Sequence, residues 1–397
     1  MTGTAPRHPG IGVIALVPEA WGPMWQPRHQ VMTRLAQHFH VVWVQPAHEW
    51  REAAKRFLSN TPRVSEPIPN FRVYTPEAWL PRMHRPRSLD RVLRRARLAR
   101  ARAELLRRGC AKVVLYVWRP EFEAVVNIVH HDLLCYHLDD EYSFSDKDPP
   151  IEPREARLLA SADQVFIHSP ALLEKKGHLN PHTLAVPNGV DYALFATPVA
   201  EPDDLANIPR PRIGYVGYIK RYLDWELLEA LAERHPAWHF VFVGATSPHA
   251  ELSTVLERLA RRGNVHFLGA KPTATLAHYP QHFDVCLMPY VVNGYTRYIY
   301  PLKLHEYLAS GRPIVGARIQ SLEKFDDVVA IATGLTQWSS AIEAGLSIEA
   351  QSPERVAARQ AVAKSYDWGP LVDKVAASIT TRLQERAPAA RSVSLET

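Results

Sequence analysis

Pro301-Leu-Lys-Leu-His-Glu-Tyr-Leu-Ala-Ser-Gly-Arg-Pro-Ile-Val315 decides how this chain is read. Pro301 suits the first turn of a helix, where its missing N–H costs nothing, and Gly311 suits the position just past the end. Pro313–Gly316 then reads as a buried strand, so helix and strand follow each other with almost no loop. Lys303 and Glu306 are three residues apart and share one helix face. Lys303 lies near the N-terminus, where free amides and the dipole favour anions. Glu306 lies a turn deeper, where a carboxylate cannot serve a phosphate but can accept hydrogen bonds from ribose hydroxyls. The plain alternative is an amphipathic helix with a solvated Lys and Glu, and spacing alone does not separate the two. The loop Asn293-Gly294-Tyr295-Thr296 leads into the helix and is expected to bring its backbone close to a pyrophosphate.

The alternation extends upstream. Ile213–Gly217, His239–Val243, Val265–Leu268 and Asp284–Pro289 read as strands, with helices at Asp224–Glu233 and Pro248–Arg262. Before them, Ile11–Val17, Val41–Gln45, Phe71–Thr75, Lys112–Val117, Leu133–Leu138 and Gln164–His168 are short, apolar and rich in Val, Ile and aromatics, with helical patterns at Arg28–His38 and Ser88–Arg108. Strands alternating with helices argue for parallel sheets covered on both faces. A polar segment with several prolines, Pro198 to Pro211, separates two such units. The expected architecture is α/β, with two Rossmann-like doubly wound domains at 1–195 and 208–365. Pro353 to Arg386 reads as two helices broken near Tyr366-Asp-Trp-Gly-Pro370, and the last, 366–387, is expected to return to the first domain. Ligands bind at the carboxyl ends of such strands, so the site belongs in the cleft between the domains.

Totals exclude several classes. The 397 residues are 46% hydrophobic and 22% charged, the balance of an ordinary globular protein. Cys110, Cys135 and Cys286 have no metal-ligand or redox spacing and read as reduced core thiols of a cytosolic protein. Ile11–Val17 is too brief for a secretory signal, and no run reaches the roughly 20 apolar residues of a membrane span. The net charge of +6 is uneven: residues 1–190 hold 26 Lys and Arg against 19 Asp and Glu. A basic first half points to an anionic partner there.

Val186-Pro-Asn-Gly-Val-Asp191, Gly214-Tyr-Val-Gly217 followed by Lys220-Arg221, Val265-His-Phe-Leu-Gly269 and the Pro289–Val315 stretch occur in this order. Together they resemble glycosyltransferase family 4 (glycosyl transferases group 1), closely over 186–316 and in outline elsewhere. The resemblance implies the GT-B fold, a nucleoside-diphosphate sugar as donor, and no metal or other cofactor. It also implies that Glu306 holds the ribose and that Lys220 or Arg221, with Lys303, neutralises the diphosphate. Gly217, Asn293, Tyr295 and Thr296 complete the expected donor site. One position departs from the family: the first of its two glutamates would fall at 298, which is Tyr298. In the family that glutamate contacts the transferred sugar and is tied to retaining chemistry; its absence here leaves the stereochemical outcome open, with retention the expectation that the rest of the resemblance implies. A dinucleotide-binding reading of Gly214-x-x-Gly217 fails because no complete fingerprint is present.

On the acceptor side, His137-Leu-Asp-Asp-Glu141 follows a strand at its carboxyl end. Asp139, Asp140 or His137 could act as general base, or the acids could cap a turn or pair with arginines. The loop Pro18-Glu-Ala-Trp21-Gly22-Pro23 could approach donor and acceptor together, or be a plain turn. His130-His131-Asp132 reads as a helix end rather than a metal site. From Arg82 to Arg108 there are 11 arginines and two acids. Leu89, Val92, Leu93, Ala96, Ala103 and Leu106 follow helical spacing, so this face is expected to dock on the sheet and leave an arginine face outside. That face is either simply solvated or meets anionic lipid headgroups; nucleic acid is not expected.

The expected activity is transfer of a hexosyl group from a nucleoside-diphosphate sugar to a sugar or lipid-linked acceptor in bacterial surface-polysaccharide synthesis. The expected place is the cytoplasm, peripherally at the inner face of the plasma membrane. The alternatives are a nucleotide-sugar epimerase, a phosphorylase, or a non-catalytic homologue that binds nucleotide sugars.

Overall fold

The computed structural model describes residues 5–22, 25–52, 64–144, 149–248 and 250–386. Pro23 of the expected acceptor loop, and Ala387 at the expected end of the last helix, lie outside them. Two sheets carry the fold. The first contains β1 (Ile11–Leu16), β2 (His40–Val44), β3 (Val64–Ile68), β4 (Phe71–Tyr74), β5 (Lys112–Val117), β6 (Leu133–Leu138), β7 (Gln164–Ile167) and β8 (Thr183–Ala185). Their order is β3-β4-β2-β1-β5-β6-β7-β8, parallel throughout except for β3 against β4. The second holds β9 (Arg212–Val216), β10 (His239–Val243), β11 (Val265–Gly269), β12 (Val285–Met288), β13 (Ile314–Ala317) and β14 (Ala330–Ala332). It runs β11-β10-β9-β12-β13-β14, parallel throughout.

Both orders reverse direction once, between β1 and β5 and between β9 and β12. At such a switch point the connections leave to opposite faces and open a crevice at the strands' carboxyl ends.

The first sheet is buried on both faces, with side chains alternating at a period of two. Val13, Ala15, Trp43, Tyr116 and Phe166 pack with Val31, Met32 and Leu35 of the Pro27–Leu35 helix and with Trp368, Val372, Val375 and Ile379 of the Trp368–Glu385 helix. The other face, Ile14, Leu16, Leu115, Val117 and Tyr136, packs with Leu98, Ala101 and Leu105 of the Arg87–Arg107 helix. Gly12 lets that helix approach, because a Cβ there would lie 2.8 Å from Leu105.

The basic helix docks through a different face from the one its spacing suggests. Leu89, Val92 and Leu106 are 42%, 63% and 43% exposed, and Leu93, Ala96 and Ala103 are only half-buried. The buried stripe is Asp90, Arg97, Leu98, Ala101, Glu104 and Leu105. Its polar members are satisfied locally: Arg97 donates to the carbonyls of Leu80 (2.8 Å) and Pro81 (2.7 Å), and Glu104 pairs with Arg72 and Arg107. Buried polar groups that find partners cost little, so a mixed face can outcompete an apolar one.

The chain crosses between the sheets twice, and the crossings are tied together. The Val190 amide donates to the Tyr366 carbonyl and the Trp368 amide to the Val190 carbonyl, each at 3.0 Å. A Cβ at Gly189 would stand 2.6 Å from the Tyr366 oxygen, which is why the Pro187-Asn-Gly-Val-Asp191 turn needs glycine there. Asp191 caps the next short helix and pairs with Arg34 at 3.2 Å.

Candidate functional site

Gly217 leaves β9 at the second switch point with φ +139°. A Cβ there would lie 2.3 Å from Lys303 Cε, so glycine makes the space that Lys303 fills. Lys303 sits in the first turn of the Leu302–Ala309 helix, its Nζ 5.0 Å above the ring of Tyr215. The helix is anchored below by Tyr307, whose hydroxyl accepts from the Val216 amide at 2.8 Å. His305 is buried and bonded to the Tyr300 hydroxyl at 2.9 Å, and burial lowers it to about 3, so it stays neutral.

Lys220 and Lys303 lie near enough for their charges to act on each other. Burial lowers the Lys220 ammonium, and the Lys303 charge lowers it further, with Asp140 opposing. Neither lysine has an acidic partner within ion-pairing distance among the described residues; the nearest acid on the helix, Glu306, lies in the same cleft wall. The Glu306 carboxyl is raised by burial, with Lys303 opposing, and no hydrogen bond engages it among the described residues. Arg221 stands at the rim with its guanidinium 5.5 Å from the ring of Tyr222.

The loop after β12 differs from the expectation. Its amides are already paired within the loop: Asn293 Oδ1 accepts from the amides of Tyr295 and Thr296, each at 2.9 Å, and the Asn293 amide donates to Thr296 Oγ at 2.9 Å. Thr296 is fully buried and donates to the Val291 carbonyl at 2.5 Å. Asn293 and Thr296 therefore shape the loop rather than face a phosphate. Tyr295 stacks on Tyr222 at 4.6 Å and meets Phe144 of the first domain edge-on at 5.5 Å. Tyr298 turns away into the first domain's core, under Lys175 Nζ at 5.0 Å.

Across the cleft, the first switch point carries a compensated cluster. Arg28, in the first turn of the Pro27–Leu35 helix, pairs with Asp139 at 2.6 Å and Glu19 at 2.9 Å. The side chains of Arg28 and Asp139 are 8% and 6% exposed. Asp139 is raised by burial, with Arg28 and Arg119 opposing. Asp140, next to it, is more open at 29% and lies 3.7 Å from Arg119. Its carboxyl is raised by burial and by Asp139. His137 points into the core instead: its ring stacks on Trp118 at 4.1 Å, and its Nδ1 meets the Tyr116 hydroxyl at 2.7 Å. Burial holds it well below the ordinary imidazole range, so it is neutral and closed off from the cleft. Trp21 packs among Trp43, Phe71 and His29, and its amide donates to Gln45 at 3.0 Å. It anchors the loop, while a Cβ at Gly22 would meet only the Ala20 carbonyl oxygen, at an ordinary 3.9 Å.

Arg28, Glu19, Arg119 and His168 were not legible as site residues. For Glu19, Arg119 and His168 the only signal is position shortly after β1, β5 and β7, and for Arg28 a place in the first turn of the helix that follows β1. His168 is buried with Nδ1 at 3.1 Å from the Leu138 carbonyl and is lowered to about 4 by burial. Asp132 is occupied by Lys112 and the Val113 amide, and among the described residues no group of three His, Cys, Asp or Glu is placed to hold a metal ion. All three cysteines are buried thiols. Among the described residues no helix is long and apolar enough to cross a membrane.

Comparison with known proteins bears on the family and the fold. Residues 210–359 match the family model described as glycosyl transferases group 1. TuaH of Bacillus subtilis strain 168, named as a candidate teichuronic acid biosynthesis glycosyltransferase, is 34% identical over 182 residues, which is 44% of this chain and 45% of that protein. The match thus spans under half the length of this curated relative. The sucrose-phosphate synthase of Thermosynechococcus elongatus superposes with a TM-score of 0.71 at 19% identity, covering 94% of this chain and 99% of its own. Anabaena HepE, solved with UDP and glucose, superposes with a TM-score of 0.63 at 16% identity, covering 94% and 99%. The architecture is the GT-B fold.

Proposed function

We propose that this GT-B chain, whose second half carries the glycosyl transferases group 1 pattern, is a glycosyltransferase that moves a hexosyl group from a nucleoside-diphosphate sugar to a saccharide or lipid-linked acceptor in bacterial surface-polysaccharide assembly. One observation carries the reading: Lys220 and Lys303 share one wall with Glu306, and among the described residues no acid lies within ion-pairing distance of either ammonium. Two cations held together repel each other, and a diphosphate relieves that repulsion. Glu306 then accepts from the ribose hydroxyls, Arg221 closes the rim and Gly217 keeps the approach clear. Asn293 and Thr296 hold Tyr295 against the opposite wall.

In the transfer, the acceptor oxygen bonds to the anomeric carbon while that carbon's bond to the diphosphate oxygen breaks. The bonding pair leaves with the diphosphate, stabilised by the lysines and the helix amides. The acceptor proton passes to Asp140, which is the more open of the two acids and less tightly paired than Asp139; in a front-face, retaining reaction it passes to the leaving phosphate. Retention is carried over from the resemblance, and proton NMR of the product's anomeric centre tests it. Asp139 and Arg28 fix the loop that presents Asp140, and His137 supports it from below.

The outer face of the basic helix is read as resting on an anionic bilayer at the cytoplasmic side. Exposed Leu89, Val92 and Leu106 lie among Arg91, Arg95 and Arg102, an apolar stripe with charge complementary to acidic headgroups. Flotation with phosphatidylglycerol vesicles, lost on Val92→Glu and absent with phosphatidylcholine, is the expected result.

A thermal-shift screen against UDP-, GDP-, dTDP- and ADP-sugars tests the donor. A ligand that binds the folded state alone raises the melting temperature, and Glu306→Ala should abolish the response. Silence with all four donors would sink the reading. Asp140→Asn should keep the shift and lose turnover.

A further inference from the structure

A cavity of about 800 Å³ opens beside the carboxyl ends of β1 and β2, between the first turns of the Arg87–Arg107 helix and the segment Glu121–Ile128. Its floor is apolar, formed by Leu16, Val44, Leu98 and Val125. Its walls hold six arginines against three carboxylates. Two of those carboxylates are engaged. Asp90 lies 2.5 Å from Arg94 and 3.9 Å from Arg97, and Glu123 pairs at 3.1 Å with Arg157, which does not line the cavity. Arg97 is also spent on the Leu80 and Pro81 carbonyls. Arg82, Arg87, Arg91 and Arg154 remain, and no ion pair or hydrogen bond engages their guanidinium groups among the described residues. Four guanidiniums against one remaining carboxylate, Glu121, leave a net positive potential focused into the concavity.

The cavity adjoins the reacting region. Pro18 at its edge continues into Glu19, the partner of Arg28, and Glu121 follows Arg119, which lies 3.7 Å from Asp140. We infer that this cavity is the subsite for an anionic group, phosphoryl or carboxylate, carried by the acceptor saccharide. The inference rests on the reading of the first-sheet wall as the acceptor side. A guanidinium fork meets two oxygens of either group at once, and the apolar floor suits the C–H face of a sugar ring. A neutral acceptor would leave the arginines without their partner and be discriminated against.

Calorimetric titration of the full chain with glucose 6-phosphate, glucuronate, glucose and UDP tests this. At least one charged sugar should bind and glucose should not; which charged sugar binds identifies the group. Arg87→Ala with Arg91→Ala should weaken the charged sugar about ten-fold or more and leave UDP affinity unchanged. Lys303→Ala should do the reverse. Equal binding of charged and neutral sugars overturns the assignment, as does a charged sugar that follows Lys303 instead of Arg87 and Arg91. Binding of phosphatidylglycerol vesicles without a response to either charged sugar overturns it as well, by giving these arginines to the membrane surface. Failure of the donor reading shows separately, as absence of UDP binding to the unaltered protein.

Discussion

The two walls of the cleft handle charge in opposite ways. On the second-sheet wall, neither Lys220 nor Lys303 has an ion-paired acid among the described residues, and burial first, then the Lys303 charge, lowers the Lys220 ammonium. On the first-sheet wall, Arg28 sits between Asp139 and Glu19 at 2.6 and 2.9 Å, so the cation is neutralised within the protein. An unbalanced wall is stabilised by a charged ligand, whereas a balanced one holds its shape without any. On the proposed function, one wall binds a charged leaving group and the other positions a neutral hydroxyl.

Removing the balance should have the largest effect. Arg28→Met strands two carboxylates, one of them deeply buried, and is expected to cost about 3–5 kcal/mol of stability in urea unfolding. Adding Asp139→Leu to it should recover most of that loss. An unaltered unfolding midpoint for Arg28→Met would mean that the cluster is not balanced as described. On the opposite wall, Lys303→Ala should leave the unfolding midpoint nearly unchanged, because it breaks no ion pair among the described residues. UDP affinity should instead fall about ten- to a hundred-fold. A Lys303→Ala protein that loses stability but keeps UDP would reverse the assignment of the two walls.

Acidification should touch both walls alike, and less steeply. His168 on the first side and His305 on the second are neutral when folded, lowered by burial to about 4 and about 3. Unfolded imidazoles take up protons near pH 6.5 while the folded ones do not, so the unfolded state binds more protons. Stability is therefore intact above that pH and drains away as pH falls toward 4. Each histidine contributes a slope of up to about 1.4 kcal/mol per pH unit in that window. His168→Gln should flatten the pH dependence of the urea midpoint; an unchanged slope would show that its burial is not what lowers it.

Much of the fold was legible because buried strands leave a local mark. Lys112–Val117, Leu133–Leu138 and His239–Val243 were read with the bounds they have, since runs of Val, Ile and aromatics cannot be solvated in an extended chain. The edge strands β3, β8 and β14 were missed. Their residues are largely exposed or half-buried, as in Val64-Ser-Glu-Pro-Ile68, so they lack the apolar run that reveals a central strand. The basic helix was found at nearly its true span, but its docking face was misjudged by about one residue's rotation. Apolar spacing at Leu89, Val92 and Leu106 competed with a neighbouring stripe whose Asp90, Arg97 and Glu104 found partners on other segments. No local rule can count partners that arrive from Leu80, Pro81 and Arg72.

The sequence by itself determined the order of elements, the two-sheet plan and the helix that presents Lys303 and Glu306 on one face, because period, caps and glycine position are properties of a few adjacent residues. Only the tertiary structure decided which candidates face the cleft. His137 and Asp140 are three residues apart on the same strand end, yet one is sealed against Trp118 and the other lies open near Arg119. Arg28 acquires its role from two acids that are distant in the chain. Charge balance depends on distances between segments, and those exist only once the sheets have formed.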